Sequence, residues 1–161
     1  MRHDHGFTLI ELVVVIIVVG ILAIAVMPSM TGLQGFNDVG FRDSIKASIA
    51  FARKSAVAQR RNVHVALATN TLTFTIDNDV PDGVGAGQHP RNLVLPSAST
   101  YCGSGGAGNM VCAPSGITLT GTNTLDFTPS GKLSSGAIAT FTIAGKSSYS
   151  LTVEAETGYV H

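Results

Sequence analysis

Three groups of residues in this 161-residue chain have types and spacing suited to chemistry. The first is a single carboxylate, Glu11, inside an almost continuously apolar run over residues 7–27. A charge inside a membrane-length segment costs about 2.5–3.5 kcal/mol on insertion scales, so Glu11 needs a partner or a purpose. The second group is Cys102 and Cys112, separated by the glycine-rich stretch GSGGAGNMV. A lone pair this close in a loop reads as a local disulfide, which belongs to an oxidising compartment. Free thiols are the alternative. Zinc lacks the further ligands that a second cysteine pair or nearby histidines would supply. The third group is DNDVPDG, where Asp77, Asp79 and Asp82 make a weak calcium candidate by oxygen density. The spacing is not that of an EF-hand, which needs glycine at its sixth place and a bidentate glutamate at its twelfth. Asp, Asn, Pro and Gly are also ordinary turn residues, so no metal is expected.

Nothing else in the chain forms a catalytic set. GVGAGQ and GSGGAG neither follow a strand and open a helix nor end in G-K-S/T, as a phosphate-cradling loop does. The histidines, His3, His5, His64, His89 and His161, do not cluster along the sequence, and there is no G-x-S-x-G nucleophile motif. The reading is therefore no enzyme and no cofactor. Ten basic and ten acidic residues leave a formal net charge of zero, so no global field favours nucleic acid. Arg53, Lys54, Arg60 and Arg61 gather toward the end of the expected helix. They read as a solvated, dipole-favoured face; as a nucleic-acid patch four cations are a small footprint.

The elements that must position these groups begin with the apolar run. Residues 7–27 would extend roughly 31 Å as a helix, close to the hydrocarbon thickness of a bilayer. A Sec signal peptide has a shorter apolar region and an A-x-A-like cleavage site, which Pro28-Ser29-Met30 does not offer. A plain transmembrane anchor fits the length and leaves Glu11 unexplained. In a third reading MRHDHG is a short leader, removed just before the apolar run.

GFTLIE, residues 6–11, resembles the class III signal of type IV pilins and type II secretion pseudopilins. In that family a prepilin peptidase cuts after the glycine and methylates the new N-terminal phenylalanine. The resemblance thus implies cleavage between Gly6 and Phe7 and N-methylation of Phe7. It also implies a role for Glu11 in assembly, facing the N-terminal amine of a neighbouring subunit. The partners it implies are other pilin or pseudopilin subunits, the prepilin peptidase, an inner-membrane assembly platform and the lipid bilayer. The implied location is the bacterial inner membrane, single-pass with the head in the periplasm, before assembly into a pilus or pseudopilus.

Beyond the run, Pro28 removes an amide donor and clashes with the preceding turn, which predicts a helix kink. Phe41, Ile45, Ile49, Ala52 and Ala56 then recur at helical spacing, so the helix is expected to reach Gln59. Gly32, Gly35 and Gly40 weaken it by about 1 kcal/mol each, predicting a soft segment over residues 28–40. From residue 62 the chain turns to Thr, Ser, Gly and Asn with alternating apolar positions, which is β-structure. VHVALA and LTFTI read as a hairpin around TNT, NLVLP as a short strand, and residues 97–116 as a long loop. ITLT, TLDFTPSG, AIATFTIAG and SYSLTVEA read as a run of short antiparallel strands.

The pattern LDFTPSGKLSSG…FTIAG…YSLTVEAETGYVH also resembles the heads of minor pseudopilin H and FimT-like minor pilins. The expected architecture is α+β, a long N-terminal hydrophobic helix packed on a small antiparallel β-sheet head. Its divisions are a leader (1–6), an N-terminal helix (7–61, with 7–27 in the membrane or assembly and 28–61 amphipathic) and a β-rich head (62–161). The expected function is that of a structural minor subunit of a type IV pilus or type II secretion pseudopilus, at its initiation or tip complex. The alternative is a DNA-binding minor pilin for DNA uptake. Relatives of that kind present arginines in their last residues, whereas this chain ends TGYVH with Tyr159 there, so nucleic acid is not an expected partner.

Overall fold

Helix α1 covers Leu9–Val26 and helix α2 covers Leu33–Gln59 in a computed structural model that describes residues 8–26, 33–78, 90–96, 100–105 and 108–161. The chain divides into two compact units, Met1–Gln34 and Gly35–His161. In the first, α1 is apolar apart from Glu11, with Leu9, Ile10, Leu12, Ile16, Ile21 and Leu22 among its exposed side chains. A helix without a polar face is one that a membrane or other helices will cover.

In the second unit α2 buries the stripe expected from its periodicity: Phe41, Ile45, Ile49, Ala52 and Ala56 are all buried. They join one contiguous core with the inward residues of the strands, including the fully buried Phe74, Phe127 and Phe141. Removing an Ile or Phe side chain of this size from water is worth about 1.5–3 kcal/mol. That scale explains one departure from expectation. Gly35 and Gly40 lie inside α2, so the soft segment expected over residues 28–40 is regular helix from Leu33 on. Phe41 packs in the core, and the buried Asp38 carboxylate accepts the Ser147 amide at 3.0 Å. Tertiary contacts of this kind outweigh a propensity deficit of about 1 kcal/mol per glycine. Pro28 and Gly32 lie outside the described residues.

Helix α2 ends in a Schellman motif, in which the Arg61 amide bonds the Ala56 carbonyl at 3.1 Å and the Arg60 amide reaches Val57 at 3.4 Å. Arg60 occupies the left-handed position, φ +52°, which costs a residue with a Cβ about 1–2 kcal/mol. Arg60→Gly is therefore expected to raise stability by about 0.5–1 kcal/mol after glycine's larger unfolded-state entropy is subtracted. A urea midpoint at or below that of the native chain would refute this.

The strands form two antiparallel sheets rather than one. β1 (Val63–Ala68) and β2 (Thr71–Asp77) pair as the expected hairpin, Val63 opposite Ile76 and Ala68 opposite Thr71. Thr69 and Asn70 make its two-residue turn with φ +39° and +62°, both left-handed, as the twist of a tight hairpin demands. The far edge of β2 is shared: β3 (Pro90–Asn92) pairs with its second half and β4 (Met110–Cys112) with its first. β6 (Thr124–Phe127) completes this sheet beside β1. β5 (Thr118–Gly121), β7 (Ala139–Ala144) and β8 (Ser148–Val153) form the second, in the order β5-β7-β8.

Two expectations are corrected here. The strand expected at NLVLP sits earlier, at Pro90–Asn92, where proline is tolerated as the first residue of an edge strand. Leu93 and Leu95 keep the alternation, buried on either side of exposed Val94, with the Leu93 amide donating to the Phe74 carbonyl of β2 at 3.1 Å and the Leu95 amide to the Gly108 carbonyl at 2.8 Å. The long loop expected over residues 97–116 holds a 3₁₀ segment, Thr100–Gly105, broken at Gly103, and strand β4. Three-residue strands carry too little pattern to be read locally; β4 exists because β2 offers it an edge.

Candidate functional site

Thr8 is the N-cap of α1. Its hydroxyl accepts the Glu11 amide at 3.4 Å, and its carbonyl accepts the same amide at 3.1 Å and that of Leu12 at 3.3 Å. Thr8-Leu9-Ile10-Glu11 is thus the T-x-x-E signature of a capping box, with a carboxylate in the helix's first turn, where the dipole favours it. Glu11 has a local reason for its place that the apolar run alone did not disclose. The T-x-x-E spacing ahead of an apolar run is the signal that carries it. Glu11 is exposed on α1, available to a group from outside the chain. Gly6 and Phe7 lie outside the described residues.

Among the described residues no helix is long and apolar enough to cross a membrane. As described, α1 has 18 residues, about 27 Å at ~1.5 Å per residue, slightly under the ~30 Å of a bilayer core. The span expected over residues 7–27 takes in Phe7 and Met27, which lie outside the described residues.

Cys102 and Cys112 form a disulfide, with Cα atoms 5.1 Å apart. It fastens the 3₁₀ segment to β4 at the sheet edge. Asp77 ends β2 and is buried, while Asp79 and Asp82 lie outside the described residues. Among the described residues no group of three His, Cys, Asp or Glu is placed to hold a metal.

The Asp77 carboxylate instead meets His64. The imidazole stands on β1 between two carboxylates, Nδ1 at 2.8 Å from Asp126 and Nε2 at 2.9 Å from Asp77. Antiparallel register brings them together: His64 lies directly opposite Asp126 on β6, and Asp77 is two places beyond its partner Thr75 on β2. An ionised carboxylate only accepts, so occupying both contacts requires both ring nitrogens to donate, which is the imidazolium. Burial alone would push the His64 pKa down, but the hydrogen bonds to Asp126 and Asp77, with their charges, outweigh it and hold the pKa above 6.5. Arg61 adds a cation nearby, its guanidinium donating to the Asp77 carbonyl at 3.1 Å. The three residues are 13 and 62 positions apart in sequence, so no local motif announces them. The cluster ties three strands together and is part of the scaffold.

Arg53 and Lys54 sit well before the end of α2, away from the last turn, where the helix dipole acts. Arg60 and Arg61 occupy the helix stop. The chain ends with Tyr159 stacked on His161, ring centroids 5.9 Å apart.

Residues 1–27 match the family model of the prokaryotic N-terminal methylation motif. The fold is similar to that of the minor pseudopilin EpsH from the type 2 secretion system of Vibrio cholerae. That match has a TM-score of 0.51 at 14% identity and covers 74% of this chain and 90% of that one. The type IV minor pilin FimU of Pseudomonas aeruginosa matches with a TM-score of 0.47 at 16% identity, covering 76% of this chain and 89% of that one. At these identities structural likeness speaks to fold alone, and the EpsH match is the one that carries it. No curated protein matches the chain in sequence. The chain thus carries an N-terminal methylation motif and has an α+β fold, a helix packed on antiparallel sheets, similar to that of a minor pseudopilin.

Proposed function

We propose that this chain is a non-enzymatic minor subunit of a type IV pilus or type II secretion pseudopilus, acting in the complex that initiates or tips the filament. The observation that carries the reading is the methylation motif over residues 1–27, running into an apolar helix with one carboxylate in its first turn. Prepilin peptidase cleaves between Gly6 and Phe7 and methylates the Phe7 amine. The chain waits in the inner membrane, head in the periplasm, with the disulfide formed in that oxidising space. On assembly through the platform, α1 exchanges lipid for the apolar helices of neighbouring subunits. Glu11 pairs with the cationic amine of a neighbour, so a charge that is costly alone is neutralised only in correct register.

The test separates that pairing from the local cap. Glutamine serves at the third position of a capping box as glutamate does, but carries no charge. With cleavage confirmed by an intact mass beginning at methylated Phe7, Glu11→Gln and Glu11→Leu are both expected to cut incorporation into sheared filaments by about tenfold or more, as loss of a buried ion-pair partner should. Native incorporation of Glu11→Gln would reduce Glu11 to a capping residue and remove the charge-pair account. A mass retaining residues 1–6 would remove the filament reading itself.

A further inference from the structure

The face of α2 that carries Lys46, Ala50, Arg53 and Lys54 is one wall of a cavity of about 260 Å³, closed on the other side by Gly158, Tyr159 and Val160 of the C-terminal segment. The helix positions are i, i+4, i+7 and i+8, one side of the cylinder. Three cations meet there, and no carboxylate lines the cavity. Among the described residues no ion pair joins Lys46, Arg53 or Lys54 to an acid. The Arg53 Nε is buried and has no hydrogen-bond partner among them.

The surrounding backbone packs closely on that side chain. Gly131 and Gly158 are both left-handed, φ +80° and +61°. A Cβ on Gly158 would clash with the Gly131 carbonyl oxygen and lie 3.0 Å from the Arg53 Cδ, and one on Gly131 would lie 3.0 Å from the Val57 Cγ2 and 3.4 Å from the Arg53 Nε. Side chains at either turn would crowd the arginine stem. The two turns need glycine for their own backbone, and the arginine stem runs closely against both.

We propose that this cavity is a receptor for an acidic side chain of a partner protein, the carboxylate seated on the Arg53 guanidinium between Lys46 and Lys54. A guanidinium fork matches a carboxylate in geometry as well as charge. The volume falls below the roughly 300–1,000 Å³ usual for small-molecule sites and suits a side chain or two. Ala50, Val160 and the half-exposed Tyr159 ring give the acid's neighbours an apolar wall, and arginine with tyrosine is the pairing favoured at protein interfaces. A duplex wants a track of cations along its phosphates. Here the cations converge on one concavity in a chain of zero net charge. The pocket lies wholly in the second unit, so its chemistry stands apart from the filament reading.

The test is fluorescence anisotropy with the full chain in detergent micelles, titrated against a short peptide of alternating glutamate and leucine bearing a neutral fluorophore. The glutamine version of that peptide, a short DNA duplex and inorganic phosphate serve as comparators at matched ionic strength. Binding of the glutamate peptide is expected to weaken about tenfold on Arg53→Gln, the cost of a charge-assisted contact. Exposed Lys54→Gln should weaken it about threefold with an unchanged melting midpoint, so the outcome does not hinge on how the buried arginine stem affects folding. Equal binding of the glutamine peptide would overturn the proposal, as would no binding of either at millimolar concentration. Tighter, Arg53-dependent binding of the duplex would reassign the pocket to nucleic acid. Full displacement of the peptide by phosphate at equal concentration would reassign it to free anions.

Discussion

Replacing His64 by glutamine is expected to lower the unfolding free energy by about 2–3 kcal/mol near pH 6 and to abolish a pH dependence that the native chain shows. Most of that loss falls on Asp77, whose side chain is only 6% exposed. A buried carboxylate that loses one charged donor loses about 1.5–3 kcal/mol. Asp126 is 40% exposed, so its share is screened to about 0.5 kcal/mol. The sign follows from the raised pKa of His64, against 6.5 in the unfolded chain. The folded state holds the proton more tightly, so its stabilisation is complete below about pH 6.5 and is lost as pH rises through the folded value. Urea midpoints of the native chain should therefore fall over the window that opens at about pH 6.5, and those of His64→Gln should not follow. A flat native profile, or the same slope in both chains, would dispose of the doubly bonded imidazolium.

The second large effect concerns the disulfide. Cys102→Ser combined with Cys112→Ser is expected to cost about 2–3 kcal/mol. The bond closes a loop with a sequence separation of 10, and chain-entropy arguments give about 2.7 kcal/mol for a loop of that length. The damage should be local before it is global. β4 contributes three residues to the sheet, opposite Thr71, Leu72 and Thr73, and a strand so short is marginal without its tether. Hydrogen exchange at residues 110–112 should accelerate while the β1–β6 pairing, which lies on the other side of β2, stays protected. Reduction of the native chain should reproduce both results. An unchanged midpoint together with unchanged protection of β4 would show that the edge holds without the bond.

The elements legible in sequence are those whose pattern is local. The buried stripe of α2 from Phe41 to Ala56 repeats at helical spacing, and the β1–β2 hairpin alternates about a two-residue turn. Both follow from the periods of 3.6 and 2 that helix and strand impose on side chains. The methylation motif is contiguous, and so is the T-x-x-E cap, although the motif alone draws attention to Glu11. The elements that local pattern does not locate are three residues long. β3 and β4 carry too few alternations to register, and both owe their pairing to the far edge of β2.

The sequence by itself determined the local features: an N-terminal methylation motif, an apolar helix bearing one carboxylate, an amphipathic helix and a β-rich remainder. Each rests on neighbours along the chain, where covalent connectivity fixes which residues meet. Only the tertiary structure decided what Asp77 does, because His64 and Asp126 reach it through strand register rather than proximity in sequence. It also decided that Arg53 and Lys54, expected with Arg60 and Arg61 on a solvated face, line a cavity together with Lys46. The opposite wall comes from residues 158–160, which the fold of the second unit brings back against α2. Charge and hydrogen-bonding capacity are written residue by residue; their partners are set by packing.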